Sequence, residues 1–246
     1  MFDPQEATKP RSSRQHQGLL RICELYASVQ GEGLLTGMPS TFVRTSGCNL
    51  RCWFCDTPFA SWKPEGDYYA PGEIVEQCQR LGIQHVVLTG GEPMLFGAIT
   101  ELTRQLLAAG FHLTIETAGT MWREVYCDLM SISPKLPSSA PRQASDTWIA
   151  AHHARRQRLD VVRKMMERFE YQLKFVVDCP SDAEEVLDYL HQLGRFDRHR
   201  VLMMPQGTSQ AELDRQAQWL LPWCQEHGVR FCPRAHIAWF GNRRQT

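Results

Sequence analysis

The sequence shows no excess charge of either sign and no long apolar run. Its 246 residues contain 27 Lys plus Arg and 27 Asp plus Glu, so no net electrostatic field recruits nucleic acid or an anionic membrane. No apolar stretch approaches the ~20 residues that span a bilayer. We therefore expect neither a direct nucleic-acid partner nor a membrane partner.

The N-terminal segment lacks the apolar region of a secretory signal. Residues 1–18, MFDPQEATKPRSSRQHQG, are polar, which predicts a disordered tail ahead of a single domain over 19–246. We expect the protein in the cytoplasm. In a reducing compartment, the nine cysteines indicate metal ligands or small buried side chains rather than disulfide bonds.

Internal repeats are also absent, and short apolar strands instead alternate with helical patterns. The predicted strands are rich in Val, Ile, Leu, Phe and Thr and cover 22–29, 41–46, 85–89, 111–116, 129–133, 171–177, 200–204 and 229–233. The predicted helices cover 72–81, 98–110, 159–169, 181–194 and 209–228. This alternation predicts an α/β fold in which right-handed crossovers join parallel strands.

The helix boundaries carry their own signals. Ser181 and Ser209 are each followed three positions later by an acidic residue, which predicts two N-caps. Gly110 suits a C-terminal cap, and Pro222 is expected to kink the last helix.

Polar, glycine-rich segments follow four of the predicted strands. They read TGGEP at 89–93, ETAGT at 116–120, SPK at 133–135 and PQG at 205–207. The carboxyl ends of parallel strands meet at one edge of a sheet or barrel, and ligands bind at that edge. We therefore expect these segments to surround a ligand site.

Three cysteines, Cys48, Cys52 and Cys55, stand within the short segment GCNLRCWFC. A [4Fe–4S] cube normally takes four cysteines, so three leave one iron open to an outside ligand. An open coordination position is typical of catalytic metals. The spacing Cys-x3-Cys-x2-Cys therefore favours a catalytic iron–sulfur cluster. A zinc site remains the alternative, with a distant fourth ligand such as Cys23 or His85.

The three-cysteine segment resembles that of the radical S-adenosylmethionine (SAM) superfamily. The resemblance implies a partial (β/α) TIM-like barrel of mostly parallel strands, a [4Fe–4S] cluster on Cys48, Cys52 and Cys55, and SAM on the open iron. One electron from the cluster then cleaves the SAM sulfonium to give a 5′-deoxyadenosyl radical, so no protein side chain is assigned as the catalytic group. In this superfamily the segment matching Gly91 and Glu92 grips the amino group of SAM.

Several further motifs narrow the resemblance. SVQGEG (28–33), FVRTSGCNL (42–50), CDT (55–57), ETAGT, SPK and PQG together resemble the 7-carboxy-7-deazaguanine synthase family, over residues 22–240. This implies a lyase that converts 6-carboxy-5,6,7,8-tetrahydropterin into 7-carboxy-7-deazaguanine with release of ammonia, in 7-deazapurine (queuosine, preQ0) biosynthesis. It also implies Mg2+, a small-molecule pterin substrate, an electron donor such as flavodoxin or ferredoxin, and a homodimer.

The resemblance assigns roles residue by residue. Arg44 presents a planar fork that suits the substrate carboxylate, and Thr57 is expected to ligate Mg2+. The substrate contacts it implies are Val29, Gln30, Gly31, Glu32, Arg44, Thr89 and His236. The SAM contacts it implies are Gly91, Glu92, Ser133, Pro134, Lys135, Met204, Pro205, Gln206 and Gly207. Glu116 and Thr117 are weaker candidates at the same strand ends, and Asp56 is a candidate supporting residue.

Two segments depart from these motifs. Residues 137–159, PSSAPRQASDTWIAAHHARRQRL, form a variable insertion that we expect to be a solvated loop and helix face. The adjacent His152 and His153 do not predict a second metal. Near the C-terminus, Arg234 and His236 are expected on one face of an extended segment that closes over a flat substrate. The tail NRRQT continues past this segment, so no substrate contact is assigned to Thr246.

Two other functions remain open from the sequence. An activase that installs a glycyl radical on a partner protein shares the same cysteine spacing. A non-catalytic metal-binding module is the second alternative, and it would contain zinc without iron or sulfide.

Overall fold

One nine-stranded sheet forms the centre of the structure, a computed structural model that describes residues 16–246. Its strands lie in the order β3-β1-β2-β4-β5-β6-β7-β8-β9. They are β1 (Leu20–Val29), β2 (Pro39–Thr45), β3 (Asp67–Tyr69), β4 (His85–Gly90), β5 (His112–Thr117), β6 (Leu129–Ile132), β7 (Tyr171–Val177), β8 (Val201–Pro205) and β9 (Arg230–Phe231). The predicted α/β class is confirmed.

Most of the sheet is parallel. Neighbouring strands from β2 through β4 to β9 pair in parallel, whereas β1 pairs antiparallel with both β2 and β3. Strands β6 and β8 are buried at every position. Such burial is expected of parallel strands, because both faces of a parallel sheet are usually covered. The open, mostly parallel sheet fits the expected partial barrel.

The helices are α1 (Pro58–Ser61), α2 (Pro71–Leu81), α3 (Ile99–Ala108), α4 (Asp146–Arg156), α5 (Leu159–Arg168), α6 (Pro180–Leu193), α7 (Gln210–His227) and α8 (Ala235–Phe240). Five of them, α2, α3, α5, α6 and α7, match the predicted helices. Their buried faces join the strands in one apolar core, to which α3 contributes Ile99, Leu102 and Leu106. This packing supplies most of the stabilisation that helices of this length need.

The predicted helix caps have mixed outcomes. Ser209 caps α7 as expected, and it exchanges capping-box hydrogen bonds with Glu212. Gly110 lies just past α3 with a left-handed φ of +85°. The cap at Ser181 is wrong: Cys179 is the N-cap and Pro180 opens α6, because proline suits the first helical position, where its missing N–H costs nothing.

Four elements were not predicted individually: the short α1, β3 and α8, and the 11-residue α4. The extended segment expected around Arg234 and His236 is wrong, since Arg234 is the N-cap of α8 and His236 lies in its first turn. Short elements carry too few apolar repeats to show a period. In α4 the single buried side chain is His152. The sequence of α4 therefore shows no apolar periodicity from which a helix could be predicted.

The predicted disordered tail over 1–18 lies outside the described residues up to position 15. At its end, the ring of His16 stacks on Tyr68 with centroids 3.7 Å apart. Within residues 16–246, no helix is long and apolar enough to cross a membrane.

Candidate active site

A cavity of about 480 Å³ lies at the carboxyl ends of the parallel strands. The strands contribute Arg44 from β2, Thr89 from β4, Glu116 from β5, Lys174 from β7 and Met204 from β8. The expectation that the polar strand ends surround one site therefore agrees with the geometry.

The three cysteines of the loop between β2 and α1 all line this cavity. The Leu50 N–H donates to the sulfur of Cys48 at 3.4 Å, and the Cys55 sulfur lies 3.0 Å from the Ser61 hydroxyl. Burial raises the pKa of the Cys48 thiol to about 12 and that of the Cys52 thiol to about 11. A metal that binds these thiols would have to displace their protons, so its binding would strengthen as the pH rises.

The zinc alternative is not supported by the surroundings of the cysteines. Within the described chain, no three His, Cys, Asp or Glu side chains gather closely enough to hold one metal ion. The proposed fourth ligands lie elsewhere: His85 is hydrogen-bonded to Ser40 and Thr114, and the Cys23 thiol donates to the Arg44 carbonyl. Three thiols that face one cavity without meeting at one point fit a multi-iron cluster.

The two glycines after β4 allow this strand to approach the cysteine loop. A Cβ at Gly91 would overlap the Gly47 carbonyl, and one at Gly90 would overlap Thr45. Instead, the Gly91 N–H donates to Thr45 O at 3.0 Å and the Glu92 N–H donates to Gly47 O at 2.8 Å. The GGE segment thus fixes the position of the cysteine loop against the sheet.

The Glu92 carboxylate lies behind the cavity rather than in its lining. It is fully buried and accepts from the Thr117 hydroxyl at 2.8 Å, the Ala118 N–H at 2.9 Å and the Met94 N–H at 3.1 Å. Burial raises its pKa against these bonds. In this structure Glu92 joins the ends of β4 and β5, and a contact with SAM stays a prediction, as it does for Gly91, which lines the cavity.

The remaining predicted SAM contacts fall into two groups. Ser133, Lys135, Met204 and Gln206 line the cavity, whereas Pro134, Pro205 and Gly207 lie beside it in the chain. Lys135 is held by Ser133, with its ammonium 2.6 Å from the carbonyl and 2.7 Å from the hydroxyl.

Arg44 lies at one end of the cavity with its guanidinium partly engaged. Its Nε donates to Glu24 at 2.8 Å and its Nη2 to the Tyr26 hydroxyl at 3.3 Å; neither contact uses Nη1. Burial alone would lower the pKa of Arg44, but Tyr26 and Glu24 raise it overall. The side chain is therefore a permanent cation, and it is 15% exposed.

The C-terminal residues fold over this end of the cavity. Arg244 donates to the second Glu24 oxygen at 2.9 Å and to Glu65 at 3.3 Å, and its guanidinium lies over the Phe59 ring, 3.7 Å from the centroid. Glu24 is thus shared by Arg44 and Arg244. The sequence analysis missed Glu24 and Arg244.

A second polar cluster lies deeper, around Glu32. Lys174 contacts its carboxylate at 2.5 Å, Arg234 at 3.3 Å and the His236 ring at 3.8 Å. Burial alone would raise the pKa of Glu32, but Lys174 and then Arg234 lower it overall. The two cations therefore favour the ionised form of Glu32. Gly31 seats α8 beside this cluster, because a Cβ there would overlap His236.

Glu116 faces the same cluster from β5. It accepts from the Thr89 hydroxyl at 2.8 Å and from the Gln30 amide at 3.2 Å, and the Lys174 ammonium lies 3.7 Å away. The predicted substrate contacts Gln30, Glu32, Thr89 and His236 thus form one network, which Val29 and Gly31 border. The sequence analysis missed Lys174, the one charged residue in YQLKFVV.

Thr57 and Asp56 follow the last cysteine at the cavity wall. Thr57 lines the cavity and precedes α1 without capping it through its side chain. Its hydroxyl lies 3.8 Å from the Cys55 sulfur, and Mg2+ binding stays a prediction. Asp56 is bound by Arg234, whose Nη1 also donates to the Gly207 carbonyl at 2.7 Å.

Most of the 137–159 insertion is exposed, as expected for a solvated loop and helix face, but part of it packs against the cysteine loop. His152 is buried, and its Nδ1 accepts from the Arg51 N–H at 3.2 Å. Its Nε2 must then carry the hydrogen and donate to Ser139 Oγ at 2.9 Å, which donates to Leu136 O at 2.6 Å. Arg155 adds a bond to the Asn49 carbonyl at 3.3 Å.

Replacing His152 by Leu should loosen the cysteine loop. The Arg51 N–H would lose its acceptor, and a buried unpaired donor costs about 1–3 kcal/mol, so its hydrogen exchange should rise about tenfold or more. The measurement is hydrogen exchange of residues 48–55 in the metal-free protein. His152→Asn keeps an acceptor near the Nδ1 position, so the Arg51 N–H should exchange slowly in this variant. The control is His153→Leu, which changes the exposed neighbour of His152. Equal exchange rates of the Arg51 N–H in all variants would contradict the expectation.

Comparisons with known proteins agree with this geometry. The sequence profile of the Radical SAM superfamily matches residues 42–213. The 7-carboxy-7-deazaguanine synthase of Rhodopirellula baltica is 45% identical over 242 residues, which cover 98% of this chain and 94% of the relative. The synthase of Halobacterium salinarum is 42% identical over 253 residues, 98% of both chains. The crystal structure of QueE from Escherichia coli, at 22% identity, superposes with a TM-score of 0.66 and covers 93% of this chain and 100% of that chain.

The parallel sheet, the three-cysteine loop and the matched profile define a radical SAM enzyme, and this class implies a [4Fe–4S] cluster and SAM. Cys48, Cys52 and Cys55 suit the cluster because all three thiols reach one cavity. Within that class, the near full-length similarity means that the chain belongs to the 7-carboxy-7-deazaguanine synthase family.

Proposed function

We propose that the protein converts 6-carboxy-5,6,7,8-tetrahydropterin into 7-carboxy-7-deazaguanine with release of ammonia. One observation carries the proposal: a single cavity joins the three thiols to a fixed cation, Arg44, and to a pair of carboxylates, Glu32 and Glu116. A carboxylated heterocycle with N–H groups matches these three features in charge and hydrogen bonding.

Arg44 would bind the substrate carboxylate through the end of its guanidinium. Its Nε edge is taken by Glu24, so a bidentate contact uses Nη1 and Nη2. Such planar pairs are strong and directional. This contact would fix the orientation of the heterocycle in the cavity that the three thiols also line.

The Glu32 and Glu116 end of the cavity would accept the N–H groups of the heterocycle. Both carboxylates are anchored by neighbours, so they are preorganised acceptors. A heterocycle that lacked these donors would leave buried acceptors unpaired, which costs about 1–3 kcal/mol per group. The network therefore contributes to substrate selectivity as well as to substrate affinity.

The proposed reaction also needs cofactors, a metal ion and an electron donor. When bound, the cluster and SAM supply the hydrogen-abstracting radical. Thr57 offers one oxygen to Mg2+, which retains water and accepts substrate oxygens in such sites. We further propose a reductant such as flavodoxin or ferredoxin, a homodimer and a cytoplasmic location.

The test is product analysis. Anaerobic protein given reductant, SAM, Mg2+ and carboxytetrahydropterin should form 7-carboxy-7-deazaguanine, detected by mass spectrometry. If 5′-deoxyadenosine forms but no deazaguanine appears, the substrate proposal is wrong and the superfamily assignment stands. Capture of a large glycyl-radical protein in that case would favour the activase alternative, and zinc without iron or sulfide would favour the binding module.

A further inference from the structure

Lys174 is a buried cation to which the resemblance assigns no role. It lies in the middle of β7, its side chain is 5% exposed, and it faces the cavity. A lysine is costly to bury unless its charge is paired. Its ammonium contacts Glu32 Oε2 at 2.5 Å and lies 3.7 Å from Glu116 Oε1.

The two carboxylates reach Lys174 from distant parts of the chain. Glu32 follows β1, and Glu116 belongs to β5. Each has further anchors, but among residues 16–246 Lys174 is the one cation within 4.0 Å of both. The ammonium therefore joins the two halves of the acceptor network.

The charges around this point nearly balance. Glu32 faces Lys174 of β7, and it also faces Arg234 and His236 at the start of α8. Glu116 faces Lys174, and the Cys232 thiol is close to that ammonium. Asp56 takes the outer side of Arg234. Burial alone would lower the pKa of Lys174, but Glu116 and then Glu32 raise it overall. Without this ammonium, burial would raise the pKa of the Glu32 carboxyl.

We propose that Lys174 is a positioning residue that holds the Glu32 and Glu116 carboxylates in place, so that both accept N–H groups of a flat nitrogen heterocycle. This inference rests on the proposed function. It explains why β7, which has no other charged residue, carries a lysine that lines the cavity.

Lys174→Met should raise KM for the pterin about 30-fold or more, since removing one partner of a buried charge pair costs about 2–5 kcal/mol. The ionised form of Glu32 is the binding form, so raising its pKa by removing Lys174 removes activity at the acid side. The acid limb of kcat/KM should therefore move up by about one pH unit or more. Lys174→Arg keeps the charge and should recover part of both effects, whereas SAM cleavage without substrate should be unchanged.

Controls separate positioning from folding. Lys164→Met removes an exposed lysine of α5 and should leave KM and the pH profile as in wild type. If Lys174→Met is unstable, the double variant with Glu116→Gln should recover its Tm, because it removes the uncompensated charge. Unchanged KM and an unchanged acid limb in folded Lys174→Met would overturn the inference.

A substrate-free measurement distinguishes this inference from the proposed function. Carbon-13 NMR of labelled glutamate, assigned with Glu32→Gln, reports the titration of the Glu32 carboxyl. It should titrate at higher pH in Lys174→Met than in wild type, even if wild-type protein makes no deazaguanine. Identical titrations would refute the role of Lys174, whatever the product analysis shows.

Discussion

Replacing Cys52 by Ala should abolish both the iron–sulfur cluster and SAM cleavage. Only three cysteine thiols line the cavity in the described chain, so the loss of one leaves two protein ligands for a cluster that normally takes four. Anaerobically reconstituted variant should contain little iron and sulfide, and 5′-deoxyadenosine formation should fall to background. Iron and sulfide analysis with chromatographic detection of 5′-deoxyadenosine measures both.

The matched control is Cys179→Ala. Cys179 is the N-cap of α6 and lies outside the main cavity, so this variant should keep wild-type iron, sulfide and SAM cleavage. Wild-type cluster content in Cys52→Ala would contradict the cluster assignment, and equal losses in both variants would indicate general sensitivity of the thiols.

Replacing Arg44 by Lys should uncouple SAM cleavage from substrate use. A lysine keeps the charge but cannot bond Glu24, Tyr26 and an incoming carboxylate in one plane. Breaking a buried hydrogen-bonded charge pair costs about 2–5 kcal/mol, so kcat/KM for the pterin should fall about 30-fold or more. 5′-Deoxyadenosine formed in the absence of substrate should change little, because the Arg44 guanidinium is bonded to Glu24 and Tyr26 rather than to the cysteine thiols.

Arg104→Lys provides the comparison for this variant. Arg104 is exposed on α3 and pairs with Glu101 on the same helix, a contact of the kind worth less than about 1 kcal/mol. Its substitution should leave both rates unchanged. If Arg44→Lys lowers uncoupled SAM cleavage as strongly as product formation, Arg44 supports the cavity in general rather than the substrate carboxylate.

The sequence was sufficient for the sheet because buried parallel strands have continuous apolar runs. Strand β7, for example, is observed over the range that was predicted, Tyr171–Val177. It was insufficient for α8, since six residues hold fewer than two helical turns. The alternation of Arg234 and His236 therefore resembled an extended segment.

The candidate site was predictable where its residues are close in sequence. The three cysteines stand together, and each further motif follows a strand. Lys174 and Glu32, in contrast, lie 142 residues apart. A single lysine in a strand forms no sequence motif from which its partner could be predicted. His152 lies 101 residues from Arg51, so its bond to the cysteine loop appears only in three dimensions.

The bond between Arg244 and Glu24 has a practical consequence for preparing the protein. Residues 242–246 border the mouth of the cavity, so a purification handle fused after Thr246 would crowd the path by which small molecules enter and leave. The opposite terminus, whose described portion begins beside Tyr68 on the edge strand β3, is the better place for a handle.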